Sequence, residues 1–82
     1  MNSTLEQVQA IASDIFGIPP TGITAESSPE TVDTWDSIQH LNLVLAIEER
    51  FRVQLSPEEI QEMKSVGAVA ALVESKLRSS AR

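Results

Sequence analysis

The chain has 82 residues, a formal charge of −6, 41% apolar residues and no cysteine. A chain of this length forms one small domain with a modest core, and its composition is too apolar for a disordered chain and too mixed for a membrane protein. The lack of cysteine excludes disulfides, thiolate metal sites and a cysteine nucleophile. We expect a cytoplasmic protein, since the start of the chain lacks a basic leader and no apolar run approaches the ~20 residues that span a bilayer.

Charge is distributed unevenly along the chain. Residues 1–49 carry eight acids and no Lys or Arg, whereas residues 50–82 carry four acids and six bases, which gives −8 and +2. An acidic surface repels nucleic acid and anionic lipid, and it attracts partners with basic patches. Acidity that serves only solubility is the alternative.

A first helix is predicted to begin at Ser3 or Thr4, which can cap it, and to end at Gly17. Its apolar residues recur at spacings of three and four: Leu5, Val8, Ile11, Ala12, Ile15 and Phe16. Pro19 and Pro20 then prevent helix, and a long loop continues to Asp36. We expect core contacts to hold this loop through its apolar residues: Ile18, Ile23, Val32 and Trp35.

Asp36 is the predicted N-cap of a second helix that runs from Ser37 to Phe51. Its apolar side chains cover a wide arc: Ile38, Leu41, Leu43, Val44, Leu45, Ile47 and Phe51. We therefore expect this helix to touch several neighbours and to bury Leu45. The remaining residues form a narrow exposed strip with His40 and Glu48 at its rims: Gln39, Asn42, Ala46 and Glu49.

Ser56 and Pro57, followed by two glutamates, predict a short third helix that ends near Met63. Ser65 is the predicted cap of a fourth helix with its own apolar stripe, and residues 78–82 are expected to form a frayed tail. The fold class is thus all-α, with three main helices, one short helix and a long first loop. We expect a single domain over residues 1–82 with a core of about 4–77.

Candidate catalytic chemistry is sparse. One histidine without cysteine cannot supply a structural metal site, so we expect no metal ligands. Hydrolysis by Ser37 with His40 as base is conceivable, but no third group orients the imidazole. We expect His40 to be a solvated helix residue and Trp35 to anchor the loop on the core.

The step from Asp36 to Ser37 places an exposed hydroxyl at the start of a helix. The first backbone N–H groups of a helix lack intrahelical partners, so a phosphate on Ser37 would be well placed there. Asp36 would repel that phosphate unless its carboxylate caps the helix or holds a metal ion during attachment. Alone, the dipeptide indicates only a helix cap.

The segment DSIQHLNLVLAIEERF, residues 36–51, resembles the signature of the acyl and peptidyl carrier protein family. The segments VQLSPEEI and SVGAVAALVESKL follow in the expected order, so the resemblance covers nearly the whole chain. It implies a four-helix carrier-protein bundle. It also implies that Ser37 receives a covalent 4′-phosphopantetheine from coenzyme A, transferred by a phosphopantetheinyl transferase with Mg²⁺.

The resemblance further implies a carrier that catalyses nothing. Acyl intermediates would travel as thioesters on the arm, from a loading enzyme to downstream enzymes with basic patches. We expect a monomer whose partners meet the second helix at these residues: Ile38, Gln39, Asn42, Glu48 and Glu49. The acyl chain is expected to be partly sheltered by these wall residues, for which ordinary core packing is the alternative: Ile38, Leu41, Leu45, Val66 and Ala70.

Some positions depart from the pattern of fatty-acid carriers. Many of those proteins have Leu-Gly where this chain has Thr34-Trp35, and acids where it has Gln39, Asn42 and Arg50. These departures favour a dedicated carrier in a secondary biosynthetic pathway. Two alternatives remain: a carrier of aminoacyl or peptidyl groups, and an unmodified acidic adaptor in which Ser37 only belongs to the capping turn.

Overall fold

A computed structural model describes the backbone of residues 3–80 and the side chains of residues 3–78. Four helices follow one another, and the described residues contain no strand: α1 (Thr4–Phe16), α2 (Ser37–Phe51), α3 (Pro57–Gln61) and α4 (Val66–Ser80). The predicted all-α architecture with a short third helix and a long first loop is confirmed. The loop contains a 3₁₀ turn at Pro20–Gly22.

Local capping signals explain the helix boundaries. The Ser3 hydroxyl accepts from the amide of Glu6, whose carboxylate accepts from the Ser3 amide, and Ser56 forms the same reciprocal pair with Glu59. Gly17 ends α1 with φ +70°, a conformation that favours glycine. Each of these caps was predicted at its position.

Two helix ends differ from the expected ones. α3 ends at Gln61 and not near Met63. α4 continues to Ser80, so the expected frayed tail at 78–82 is wrong for residues 78–80, while 81 and 82 lie outside the described residues. None of residues 78–80 is Gly or Pro, so the backbone continues its hydrogen bonding past Leu77, the last residue of the apolar stripe.

The core lies where α1 packs against both α2 and α4. Val8 and Ala12 of α1 and Val69 and Val73 of α4 are fully buried there. The first loop closes one side of this core through three buried side chains, as predicted: Ile23, Val32 and Trp35.

Side-chain hydrogen bonds also attach the loop to α1. Gln9 Nε2 donates to the carbonyl of Ile23 at 3.1 Å, and Thr34 Oγ1 donates to the carbonyl of Phe16 at 2.9 Å. These contacts fix the position of the loop backbone, although most of the loop lacks regular secondary structure.

The start of α4 is held by the same loop. The amides of Val66 and Gly67 donate to the carbonyls of Ser27 and Ala25 at 2.9 and 2.8 Å. A Cβ at Gly67 would lie 2.9 Å from the Ala25 carbonyl oxygen, closer than van der Waals contact allows. Glycine at position 67 is therefore required by the approach of the loop backbone.

α2 buries only part of its apolar surface. Leu43, Val44 and Ile47 face α1 and α4 and are at most 4% exposed. The expectation that Leu45 is buried is wrong, because its side chain is 64% exposed. Ile38 and Leu41 on the same side are 71% and 57% exposed.

The expected interior wall is accordingly wrong for Ile38 and Leu45, whose side chains face outward. Leu41 is also mostly exposed, but it lines an open groove beside Ser37. Val66 and Ala70 are buried in the core of the bundle. The apolar arc of α2 is wide because it combines a core face with an exposed face. The spacing of apolar residues in the sequence does not distinguish the core face of α2 from its exposed face.

Candidate functional site

Ser37 is exposed at the first position of α2, as predicted. Asp36 caps the helix, with Oδ1 accepting from the Gln39 amide at 2.9 Å. The cap directs this carboxylate into the first turn of α2. An ester on the adjacent hydroxyl would lie at the positive end of the helix dipole.

An open groove runs beside Ser37. The end of the first loop, the first turns of α2, and α3 with the residues after it form its sides. Its apolar wall consists of Trp35, Leu41, Ile60 and Met63, and charged residues of both signs lie among its other lining groups: Glu30, Asp36 and Lys64.

His40 forms a bridge across this groove wall. The indole Nε1 of Trp35 donates to His40 Nδ1 at 2.9 Å, and His40 Nε2 lies 3.0 Å from the carbonyl oxygen of Ile60. An indole nitrogen can only donate, so Nδ1 accepts and the proton of the neutral ring is on Nε2, which donates to Ile60.

The expectation of a solvated His40 is therefore wrong. Both imidazole nitrogens are engaged, so neither is available as a base for Ser37, and the hydrolase hypothesis loses its general base. The carbonyl of Ile60 has no signature in the sequence, so sequence reasoning missed this contact. A histidine five positions after a tryptophan was the one available signal.

Trp35 is the anchor that the sequence predicted. Its side chain is 3% exposed, and its ring stacks on Phe16 with centroids 4.9 Å apart. The imidazole of His40 lies with its centroid 6.0 Å from that of the indole. The residue immediately before the Asp36–Ser37 step is thus fixed to the core.

The expected recognition residues differ in their availability. Gln39 Nε2 donates to the Ile15 carbonyl at 2.8 Å, and a Glu48 carboxylate oxygen accepts from the Leu55 amide at 2.9 Å, so both hold the fold together. The exposed members of the set are Ile38, Asn42 and Glu49. Leu41 and Leu45 add apolar area to this surface, although the sequence had predicted a buried Leu45 and a shelter-wall role for both.

Two absences complete the site. Within the described part of the chain, no group of three or more His, Asp or Glu side chains is placed to hold a metal ion. Among the same residues no helix is both long enough and apolar enough to cross a bilayer.

The chain matches the family model described as "Phosphopantetheine attachment site" over residues 6–73. It is 32% identical over 73 residues to the acyl carrier protein of Thermosynechococcus vestitus, a match that covers 89% of this chain and 90% of that one. It is 33% identical over 73 residues to the acyl carrier protein of Akkermansia muciniphila, covering 89% and 91%.

Solved structures are similar as well. The solution NMR structure of the holo acyl carrier protein from Geobacter metallireducens superposes with a TM-score of 0.85 at 32% identity, covering 95% of this chain and 90% of that one. The holo acyl carrier protein from Nitrosomonas europaea gives 0.78 at 32% identity, covering 90% and 95%.

The fold, the exposed helix start and these matches define a carrier rather than a catalyst. The chain belongs to the phosphopantetheine-binding carrier protein family, and its similarity is to acyl carrier proteins. Its cofactor is a covalently bound phosphopantetheine. Membership also implies interaction with a modifying transferase and with pathway enzymes.

Proposed function

We propose that this chain carries acyl intermediates on a phosphopantetheine arm attached to Ser37. The observation that carries the proposal is the exposed Ser37 hydroxyl at the start of α2, beside an open groove. A long esterified group fits there without displacing core side chains. It would leave the fold as it is, since Ser37 contributes nothing to the buried cluster.

Attachment forms one phosphoester bond and breaks one pyrophosphate bond. The Ser37 oxygen attacks the phosphorus of coenzyme A that bears the pantetheine, adenosine 3′,5′-bisphosphate leaves, and the serine proton passes to a base of the transferase or to solvent. The phosphodiester would lie near the first N–H groups of α2. Asp36 keeps one oxygen on the Gln39 amide, and its other oxygen remains available to assist the Mg²⁺ of the transferase complex.

The arm supplies the terminal thiol that carries acyl groups as thioesters, which this cysteine-free chain lacks. The contribution of the chain itself is to present the attachment point on a rigid helix and to keep affinity for each partner weak, so that the cargo moves on. Trp35, packed on Phe16, anchors the chain two residues before Ser37.

We propose that partners dock on the exposed side of α2. Ile38, Leu41 and Leu45 form an apolar row there, with spacings of three and four residues, and Asn42 and Glu49 are also exposed on this helix. A small apolar contact with acids at its edge fits fast, weak association, because charge steers the encounter while little area is buried. The basic patches of a transferase and of loading and downstream enzymes would complement it.

The proposed setting is a dedicated, secondary biosynthetic pathway in the cytoplasm, with the carrier acting as a monomer. Uncharged Gln39 and Asn42 near the arm support the pathway assignment, since they make the α2 surface less acidic than that of many fatty-acid carriers. The lack of cysteine suits a reducing compartment. Cargo of the aminoacyl or peptidyl class is the alternative within the family.

Intact mass spectrometry tests the attachment site. With coenzyme A, Mg²⁺ and a broad-specificity phosphopantetheinyl transferase, the wild type should gain the mass of one phosphopantetheine, and Ser37→Ala should gain none. Ser75→Ala, which removes an exposed hydroxyl from α4, is the matched control and should be modified normally.

Ser37→Ala should also stay within about ±0.5 kcal/mol of the wild-type free energy of unfolding, as an ordinary surface change does. A wild type that stays unmodified while a known carrier is loaded, or a modified alanine variant, would show the proposal to be wrong.

A further inference from the structure

We propose that His40 is a positioning residue that holds α3 in place as one wall of the groove beside Ser37. In this way His40 determines how well an acyl group on the arm is shielded from water. This inference rests on the proposed function for its cargo. Its structural part, the hold of His40 on α3, concerns the chain without any arm.

α3 has little packing of its own. It contains five residues, Pro57–Gln61, none of which is fully buried, although Ile60 is partly buried against the core. Isolated helices of this length are unstable in water, so its position depends on contacts with the rest of the molecule. The buried residues Leu55 and Met63 fix the chain on either side of it.

Between described residues, two polar contacts connect α3 itself to other helices, and they lie on different sides. The ion pair between Lys76 Nζ and Glu59 Oε1, at 2.7 Å, connects it to α4. The hydrogen bond between His40 Nε2 and the Ile60 carbonyl, at 3.0 Å, connects it to α2 across the groove wall. Of these four residues, only His40 and Ile60 line the groove.

The tether through His40 extends to the attachment loop. Because Nδ1 accepts from Trp35 at 2.9 Å, one imidazole connects three parts of the chain: the loop end before Ser37, α2 and α3. Such a bridge needs one acceptor and one donor on a single rigid group, which the neutral imidazole supplies. Apolar side chains flank the bridge on the groove side, namely Leu41 and Met63.

The chemical consequence concerns access of water. While the bridge is intact, an acyl chain that enters the groove contacts Trp35, Leu41, Ile60 and Met63, and its thioester is held at the groove. When the bridge opens, α3 loses its hydrogen bond to α2 and keeps the ion pair to α4, the apolar packing of Ile60 and the flanking anchors Leu55 and Met63. Its groove side then moves more freely, and water reaches the thioester more often. The effect should grow with acyl length, because only a chain long enough to enter the groove gains shelter.

Amide hydrogen exchange on the unmodified protein tests the first step. His40→Leu should speed exchange at the Ile60, Glu62 and Met63 amides by roughly five- to tenfold relative to α1 amides, as expected for the loss of one hydrogen bond of ordinary strength. His40→Gln keeps one acceptor and one donor and should restore most of the protection. Unchanged α3 exchange in His40→Leu would overturn the proposal.

Thioester hydrolysis tests the second step. The proteins are loaded from acetyl- or octanoyl-coenzyme A with the transferase, and loss of the acyl group is followed by mass. In the wild type the octanoyl thioester should hydrolyse several-fold more slowly than the acetyl thioester. In His40→Leu this ratio should fall towards one, while His40→Gln should keep most of it.

Glu59→Gln is the matched control, because it breaks the ion pair with Lys76 but leaves the bridge and the capping acceptor in place. Its octanoyl-to-acetyl ratio should equal that of the wild type. The emission of Trp35, the single tryptophan, should also shift on octanoyl loading in the wild type and not in His40→Leu. A ratio unchanged in His40→Leu, or reduced equally in Glu59→Gln, would refute the role of His40.

Failure of the proposed function is distinguishable from failure of this inference. If Ser37 takes no arm, no protein gains mass with the transferase, and the exchange experiment on the unmodified chain still decides whether His40 holds α3. If the arm attaches and the ratios are the same in all variants, the attachment site stands and the shielding role of His40 is wrong.

Discussion

The two apolar faces of α2 look alike in sequence and differ completely in the folded chain. Leu43, Val44 and Ile47 lie in the core, at most 4% exposed. Ile38, Leu41 and Leu45 are more than half exposed on the same helix. Each set recurs at spacings that a helix would bury.

The difference shows that helical periodicity identifies an apolar face of a helix. It does not tell whether that face packs against the same chain. For the first face the partners are α1 and α4 of the same chain. For the second, no element of the described chain provides a cover. A row of exposed apolar residues near the start of α2 supports the proposal that partner enzymes dock there.

The largest expected effect separates the two faces by stability. Ile47→Ala should lower the free energy of unfolding by about 2–5 kcal/mol, because it leaves a cavity in a fully buried position. Leu45→Ala should change it by only about ±0.5 kcal/mol, because that side chain already faces solvent. Denaturant unfolding of the two variants measures both. Similar losses in the two variants would erase the distinction between the faces.

A second prediction compares two adjacent acids on α2 by kinetics. Glu49→Lys reverses an exposed charge and should lower the apparent second-order rate of arm attachment on the order of a few-fold at low salt. The difference from the wild type should shrink at high salt, because the screening length falls to about 3 Å at 1 M. Attachment rates across a salt series measure this.

Glu48 is the structural counterpart, since its carboxylate accepts from the Leu55 amide. Glu48→Gln retains an acceptor oxygen, and it should leave the salt dependence closer to that of the wild type than Glu49→Lys does. Equal rates for Glu49→Lys and wild type at low salt would remove Glu49 from the recognition surface and leave it as an ordinary solvated residue.

The smallest expected effect is the loss of stability at low pH through Glu59, a residue of α3. A hydrogen bond from Lys76 holds the pKa of Glu59 below its ordinary value, and the Ser56 amide acts in the same direction, against a smaller opposing effect of burial. A lowered folded-state pKa means that Glu59 stabilises the fold above the unfolded-state value of about 4.5, and that this contribution is lost as the pH falls through the folded-state value.

Stability measured from pH 6 downwards should therefore fall less steeply in Glu59→Gln, which keeps the capping acceptor but does not titrate. The change should be small because the pair is partly exposed. Lys76→Met, which removes the partner, should alter the acid dependence in the same direction. A variant that loses stability in acid as steeply as the wild type would rule out Glu59 as a source of this dependence.

Much of the fold could be predicted because its signals are local. Ser3, Gly17, Asp36 and Ser56 act at helix ends through groups no more than four residues away, and a reader of the sequence sees both partners. The residues that anchor the loop were also predictable, since an isolated apolar residue in a polar loop usually leaves solvent by packing on the core. Trp35 is the clearest case.

The features that could not be predicted depend on contacts that no particular amino acid in the sequence reveals. His40 was misjudged because its acceptor is a backbone carbonyl on α3, and any residue at position 60 would present one. Leu45 was misjudged because no element of the described residues covers it, and its apolar character alone does not reveal that. The attachment role of Ser37 was inferred from context, and its exposure at the helix start agrees with that inference.

The contact between the first loop and α4 has a consequence for the order of folding. Ala25 and Ser27 supply the acceptors for the first amides of α4, about forty positions later in the chain. Ser65 caps this turn locally, since its side-chain and backbone oxygens accept from the Ala68 and Val69 amides. The first two amides, however, gain these carbonyl acceptors only after a long stretch of chain has closed, at an entropic cost. The loop and the beginning of α4 should then become ordered in the same step, each serving as the template for the other.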